Sequence, residues 1–299
     1  MITQNSTRLF YERGSTAMSA LSARADTLQT QISTHKRLQA PSDDSVAFTR
    51  LSGIKRDTAD AEVAGKNLDL AGSILSQADS TLKSITSQLQ RASELTIQAR
   101  NGTQAETSRG AIADELDEIV NELVSLGNTT DARGQRLFGG ADGGAAVTRN
   151  ADGSFTFAAT QPSAIPTGDG RSVQPGDTAA RVFKQADGDT LQTITDLVAA
   201  LRIGTDVDAV AGDAIDKLSA ASTQVDSVQA SLGARAARVE VDQAALTQAG
   251  VDREGLRSGL EDTDITAAIT ELQKTMTILQ ATQASFTKLQ GLSLFDYLR

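Results

Sequence analysis

The sequence predicts a mainly α protein: an elongated, coiled-coil-like helical bundle formed by the N- and C-terminal segments, with a small β-rich domain inserted between them. Three observations carry this. Near the start, Met18, Leu21, Ala25, Leu28 and Ile32 recur at alternating three- and four-residue steps. Near the end, Ile265, Ala268, Leu272, Thr275, Leu279, Thr282, Phe286 and Leu289 do the same. Between them, residues 139–190 change chemistry: Gly-Gly and Asp-Gly pairs abound, and three of the four prolines lie there. A stripe this narrow is a seam for another helix, not the broad apolar face of a globular helix. Neither end can bury its seam alone, so the two are expected to pair.

Composition agrees. Of 299 residues, 39% are hydrophobic and 3% aromatic, with no Trp, so closely approaching helices fit better than a large compact core. A formal charge of −10 argues against a nucleic-acid groove, since no basic face balances phosphate. The first forty residues lean basic through Arg8, Arg13, Arg24, Lys36 and Arg37, and the last thirty-nine lean acidic through Glu261, Asp262, Asp264, Glu271 and Asp296. Paired ends are therefore electrostatically compatible. The absence of Cys excludes disulfide and thiolate chemistry. No apolar run reaches membrane-spanning length, so no membrane insertion is expected, and the start lacks the pattern of a cleaved signal.

The elements follow in order. A first helix is expected over about 5–38, loosened near Gly14 and stopped by Pro41. Ser42 offers an N-cap oxygen, and Asp43 and Asp44 suit the first turn of the next helix, roughly 43–100. That helix carries the cleanest heptad: Leu68, Ala71, Leu75, Ala78, Leu82, Ile85, Leu89, Ala92. Asn101-Gly102 ends it, and Thr103 with Glu106 forms a capping box for a third helix with Ile112, Leu116, Ile119, Leu123 and Leu126 on one face. Phe155 and Phe157 alternate as in a short strand, with hairpin turns near Asp152-Gly153 and Asp187-Gly188. Helix returns over about 190–203. It resumes from about 207 with the seam Leu218, Ala221, Val225, Val228, Leu232, Val239 and Leu246. A weak zone at Gly250, Gly255 and Gly259 precedes a terminal helix capped by Asp262 or Asp264. The domains expected are 1–42, an axial helix paired with the C-terminal one; 43–140, a helical rod; 141–189, the β-rich insertion; 190–261, the second part of the rod; and 262–299, the C-terminal axial helix.

No catalytic, metal or cofactor site is expected. The single histidine, His35, has no local acid or nucleophile and reads as a solvated helix-end residue. The run Gly139-Gly140-Ala141-Asp142-Gly143-Gly144 lacks phosphate-loop spacing, and the Asp-Gly pairs lack calcium-loop spacing. Asp114, Glu115, Asp117, Glu118 and Glu122 read as a solvated helix face.

Four ordered groups of residues resemble the bacterial flagellin family. Pro41-Ser42-Asp43-Asp44 is similar to its helix-breaking signature, and Leu89 through Thr103, with Arg91, Glu94, Asn101 and Gly102, to its most recognisable internal segment. Asn128-Thr129-Thr130-Asp131, then Gly134 and Arg136-Leu137-Phe138-Gly139-Gly140, looks like the hook–filament junction branch of that family rather than a filament flagellin. Gln283-Ala284-Ser285-Phe286 with Gln290 through Phe295 resembles the C-terminus of the same branch. Each group alone has a plainer reading, since Pro41 to Asp44 would end and restart a helix in any protein.

The resemblance implies an exported structural subunit of the extracellular flagellum, leaving the cell through the flagellar type III route without a cleaved signal. Its implied partners are further copies of itself in a ring, the first hook-associated protein, flagellin and an export chaperone. The interface positions expected are Met18, Leu21, Leu28, Ile32, Ile265, Leu272, Leu279, Phe286 and Leu289, with the tail residues Leu292, Leu294 and Phe295. A filament-forming flagellin, or a coiled-coil signalling protein, is the alternative.

Overall fold

The computed structural model describes residues 2–101, 106–140 and 142–297, with side chains at position 9 and, within those ranges, from 11 to 288. Seven helices and three short strand pairs are described: α1 (Ile2–Thr34), α2 (Ser45–Arg100), α3 (Glu106–Gly127), β1 (Val147–Arg149), β2 (Phe155–Phe157), β3 (Ile165–Gly168), β4 (Arg171–Val173), α4 (Ala179–Phe183), β5 (Lys184–Gln185), β6 (Gly188–Asp189), α5 (Thr190–Ile203), α6 (Val207–Glu261) and α7 (Ile265–Tyr297). The protein is mainly α, with its strands confined to the region between the two long helical parts. The chain forms two compact units, one of Met1–Thr58 with Gly250–Arg299 and one of Ala59–Ala249.

In the first unit, α1 packs against α7. Tyr11 meets Phe286 edge-to-face, with ring centroids 5.3 Å apart, while Lys36 bridges Asp262, so the two helices run antiparallel. Gly14 does not loosen α1, which passes through it unbroken. Its missing side chain instead admits Phe286, whose ring would lie 3.0 Å from a Cβ there. Pro41 is not what stops α1 either. The helix ends at Thr34, where His35 takes a left-handed conformation (φ 60°) and turns the chain toward the end of α6.

The cap of α2 lies two residues beyond Ser42. Asp44 Oδ1 accepts the N–H groups of Val46 and Ala47, whereas the Asp43 carboxylate reaches back to the N–H groups of Gln39 and Ala40. At the other connection Asp264, not Asp262, caps α7 by accepting the Ala267 N–H at 3.0 Å. Gly250, Gly255 and Gly259 do not interrupt α6, which continues through all three to Glu261. Each glycine costs a helix about 1 kcal/mol relative to alanine. Over that last turn, Arg257 bonds to both Glu254 and Glu261, and those intrahelical pairs oppose the loss.

The second unit holds the main core. Leu68, Ala71, Leu75, Ala78, Leu82, Ile85, Leu89 and Ala92 of α2 are all buried, as are Leu218, Ala221, Val225, Val228, Leu232 and Val239 of α6. Helices α3 and α5 pack on each other and add Leu116, Leu123, Leu191 and Leu197. Each strand pair is an antiparallel two-stranded ladder: β1 with β2 in the register Val147↔Phe157, β3 with β4 (Ile165↔Val173) and β5 with β6 (Lys184↔Asp189). Two-stranded ladders are marginal alone. These are held because Val147, Phe155, Phe157, Ile165, Val173 and Phe183 are buried in the same core as the helices. Phe157 stacks on Phe183 with centroids 5.8 Å apart.

Candidate assembly surface

The α1–α7 seam places the periodic residues inward but covers them incompletely. Leu28, Ala268 and Thr275 are buried; Met18, Leu21, Ala25, Ile32, Ile265, Leu272, Leu279, Thr282 and Phe286 are only half-buried. A two-helix pair has no third side to close over its seam, so apolar area stays in water. On the outer face of α7, Ile269, Met276 and Ile278 are exposed. The side chains of Leu289, Leu292, Leu294 and Phe295 lie outside the described residues.

Where the pair meets the rest of its unit, the 35–44 connection is stitched to the short 262–264 connection. Arg37 N–H donates to Glu261 O at 2.7 Å, Thr263 N–H donates to His35 O at 3.0 Å, and Arg37 Nη2 donates to Leu260 O at 2.9 Å. Glu261 is the charged centre of this joint. Its carboxylate is 4% exposed and binds Lys36 Nζ and Arg257 Nη1, each at 2.7 Å. The Lys36 contact, opposed by burial and aided by Arg257, holds the Glu261 carboxyl below its ordinary range. The same pairing with Glu254 and Glu261 raises the Arg257 guanidinium. Backbone donors at Ala40 and Gln39 lower Asp43. Leu38 of the connection and Ala47 and Leu51 of α2 are buried. Periodicity did not mark Lys36, Leu38, Arg257 or Glu261 as a site. The opposite charges at the facing ends of the two seams were the signal available.

The remaining motif residues build the scaffold. Pro41 and Ser42 are exposed in the turn before α2. Arg91 bridges Glu94 (3.1 Å) and Glu115 of α3 (2.6 Å), all exposed. Arg202 and Arg149 also meet the acidic face of α3, at Asp114 and Asp117, while Glu118 and Glu122 are exposed. Asn101 follows α2 as an exposed residue, and Gly102 and Thr103 lie outside the described residues.

Asn128 joins α3 to the insertion. Its amide nitrogen donates to Val124 O and Val147 O, and its oxygen accepts the N–H groups of Ala146 and Val147. Thr129 O accepts from Leu137 N–H, and Thr130 bridges Arg136. The buried Asp131 accepts the N–H groups of Arg133 and Gln135 and pairs with the Arg133 guanidinium at 2.9 Å. Burial pulls Asp131 upward more than any single contact, but those donors together hold it low. Gly134 supplies the left-handed turn (φ 77°). Phe138 and Gly139 are buried, and a Cβ on Gly139 would lie 2.5 Å from Arg136 Cβ. Among the described residues no group of three or more His, Cys, Asp or Glu could hold a metal ion, and no helix is long and apolar enough to cross a membrane.

Residues 6–142 match the bacterial flagellin N-terminal helical region and residues 215–298 the C-terminal helical region, together well over half of the chain. The chain belongs to the bacterial flagellin family. Within that family, it is 26% identical to flagellar hook-associated protein 3 of Salmonella typhimurium over 97% of this chain and 98% of that one. It is 24% identical to the flagellin of Listeria monocytogenes over 82% of this chain and 81% of that one. The solved structure of a putative flagellar hook-associated protein from Vibrio parahaemolyticus shares the fold, with a TM-score of 0.69 at 18% identity; it covers 74% of this chain and 100% of that one. Members of the family are structural proteins of the flagellum.

Proposed function

We infer that this chain is a hook–filament junction subunit of the bacterial flagellum, a structural protein and not an enzyme. The observation that carries the reading is the end-to-end match, over 97% of this chain and 98% of its relative, to a flagellar hook-associated protein 3. The flagellin match, by comparison, leaves nearly a fifth of each chain uncovered. In this reading, copies assemble as a ring outside the cell between the first hook-associated protein and flagellin. The domain roles follow: 1–42 and 262–299 form the axial pair, 43–140 and 190–261 the rod, and 141–189 the outward insertion.

The mechanism is cooperative packing. Met18, Leu21, Leu28 and Ile32 of α1 face Ile265, Leu272, Leu279 and Phe286 of α7, and neighbouring copies would cover what this pair leaves half exposed. Apolar burial contributes about 25 cal/mol per Å², so a seam repeated around a ring sums many modest contacts. Before assembly the same stripe, with Leu289 and the Leu292, Leu294 and Phe295 tail, would be covered by an export chaperone through helix-in-groove contacts. Export would follow the flagellar type III route.

The test is a strain lacking the gene, complemented with tagged protein. Junction function predicts hooks without filaments in the deletion and label at one band at the hook end after complementation. Label along the whole filament, or long filaments formed by the purified protein alone, would favour a filament-forming flagellin instead.

A further inference from the structure

The sequence of α1 contains one glycine, Gly14, and it sits inside the helix rather than at an end. Glycine is a poor helix former, so its place there calls for a tertiary reason. The ring of Phe286 supplies one. It is the single aromatic among the described side chains of α7, and its Cε2 and Cδ2 stand 3.0 and 3.1 Å from where a Cβ on Gly14 would be. The same ring meets Tyr11, on the same face of α1 one turn away, edge-to-face. Phe286 is a knob, and Gly14 with Tyr11 is the hole that takes it. The rest of the seam does not specify its own alignment. With Phe286 on Gly14, antiparallel pairing brings Leu21 level with Leu279 and Leu28 level with Leu272. If α7 slides by one heptad, Leu21 comes level with Leu272 and Leu28 with Ile265, apolar neighbours of the same kind. At Gly14, by contrast, the slide exchanges the aromatic ring for the smaller Leu279. The hydrogen bonds of the two connections hold the near end of the pair, whereas Phe286 lies about 30 Å along α7 from Ile265.

We propose that Gly14 and Phe286 form a size-matched clasp that selects the alignment of α7 on α1 at the far end of the pair. Gly14 is a positioning residue: it acts by leaving room, and Tyr11 walls that room on one side. Selection here is by shape. A slid α7, or any other apolar stripe laid on α1 without an aromatic at this level, leaves the hole underfilled and loses the contact. The clasp lies within one chain and does not depend on the junction reading.

The chain has no cysteine, so two introduced thiols report one pair of positions at a time. Met18→Cys with Thr282→Cys lies one turn from the clasp on each helix. Oxidised with copper phenanthroline in isolated flagella, this full-length protein should form an intrachain disulfide, read as a faster-migrating monomer on a non-reducing gel. If the protein is absent from flagella, the purified chain is oxidised instead, so failure of the junction reading leaves this test in place. Met18→Cys with Thr275→Cys is one heptad out of alignment, about 10 Å, which is beyond disulfide reach, and it oxidises only when α7 has slid. In that background Gly14→Leu should raise the initial oxidation rate about tenfold, because the overpacking falls on the aligned pair. Adding Phe286→Ala should lower the rate again, since the leucine then takes the place of the ring. Two independent effects would instead make the double variant the faster one. An aligned pair that fails to oxidise, a slid pair unmoved by Gly14→Leu, or a double variant faster than Gly14→Leu alone would overturn the proposal.

Discussion

Glu261→Gln tests whether the joint between the two connections depends on one buried charge. Gln keeps the size and the hydrogen-bonding capacity of the side chain but removes the charge that Lys36 and Arg257 share. The Lys36 side chain is 50% exposed, so its pair counts as a surface one, about 0.5 kcal/mol. Arg257 is 28% exposed and keeps Glu254 as a second partner, so its loss is about 1 kcal/mol. A total of about 1–2 kcal/mol is a roughly five- to thirtyfold increase in opening of the joint. The assay is hydrogen exchange at two amides, Arg37 N–H and Thr263 N–H, which close the stitch on Glu261 O and His35 O. Both should exchange faster by that factor, while amides in the middle of α2 stay unchanged. The pH dependence has a definite sign. The folded Glu261 carboxyl is lowered from 4.5, so its contribution is complete above that value and lost as pH falls through the lower folded one. Protection at Arg37 that is identical in parent and variant at neutral pH would show that backbone bonds alone hold the joint and refute the reasoning.

Three further outcomes are expected. Phe286→Ala with Leu289→Ala should release flagellin into the medium, since a half-buried aromatic on the seam is worth about 1–2 kcal/mol per contact; Asp296→Asn is the mild control, and normal filaments in the double variant at normal expression would refute the seam as an assembly surface. Asn128→Ala should lower stability by about 2–4 kcal/mol, because it leaves Val147 O and the Ala146 and Val147 N–H groups without their partner, and Asn128→Asp should not rescue it in urea melts because the donor is still missing. Arg235→Met should cost about 2–4 kcal/mol in the same assay: it deprives the fully buried Asp177 of one of its two arginines and Gly176 O of its donor.

Much of the fold was legible because a heptad seam reports its own burial. The spacing of Met18 through Ile32 and of Ile265 through Phe286 matches the inward positions of α1 and α7 residue by residue. What failed to read were events decided by tertiary contact. Gly14 suggested a loosened helix, yet its lack of a side chain serves the Phe286 ring, a neighbour 272 positions away in sequence. Pro41 was a strong local stop, but the pull of the α6 end on His35 and Arg37 acts first. The Asn128–Gly140 motif could be recognised by likeness but not explained, because its partners Val147 and Ala179 lie further along the chain, in β1 and α4. The Lys36–Glu261 joint needed both connections at once, and neither has any periodicity.

The two connections differ in length, ten residues in one (35–44) and three in the other (262–264). If the α1–α7 pair is drawn away from the helices it joins, the three-residue connection goes taut first, while the longer one still holds slack in the turn that Asp43 closes. Tension therefore runs through the covalent chain at Asp262–Asp264, and the hydrogen bonds of the turn remain unloaded until that segment has stretched. Adding residues to the 38–43 turn should leave mechanical strength unchanged, and even one residue added to the short segment, about 3.5 Å of reach, leaves it far shorter than the ten-residue connection and still the one that carries the load.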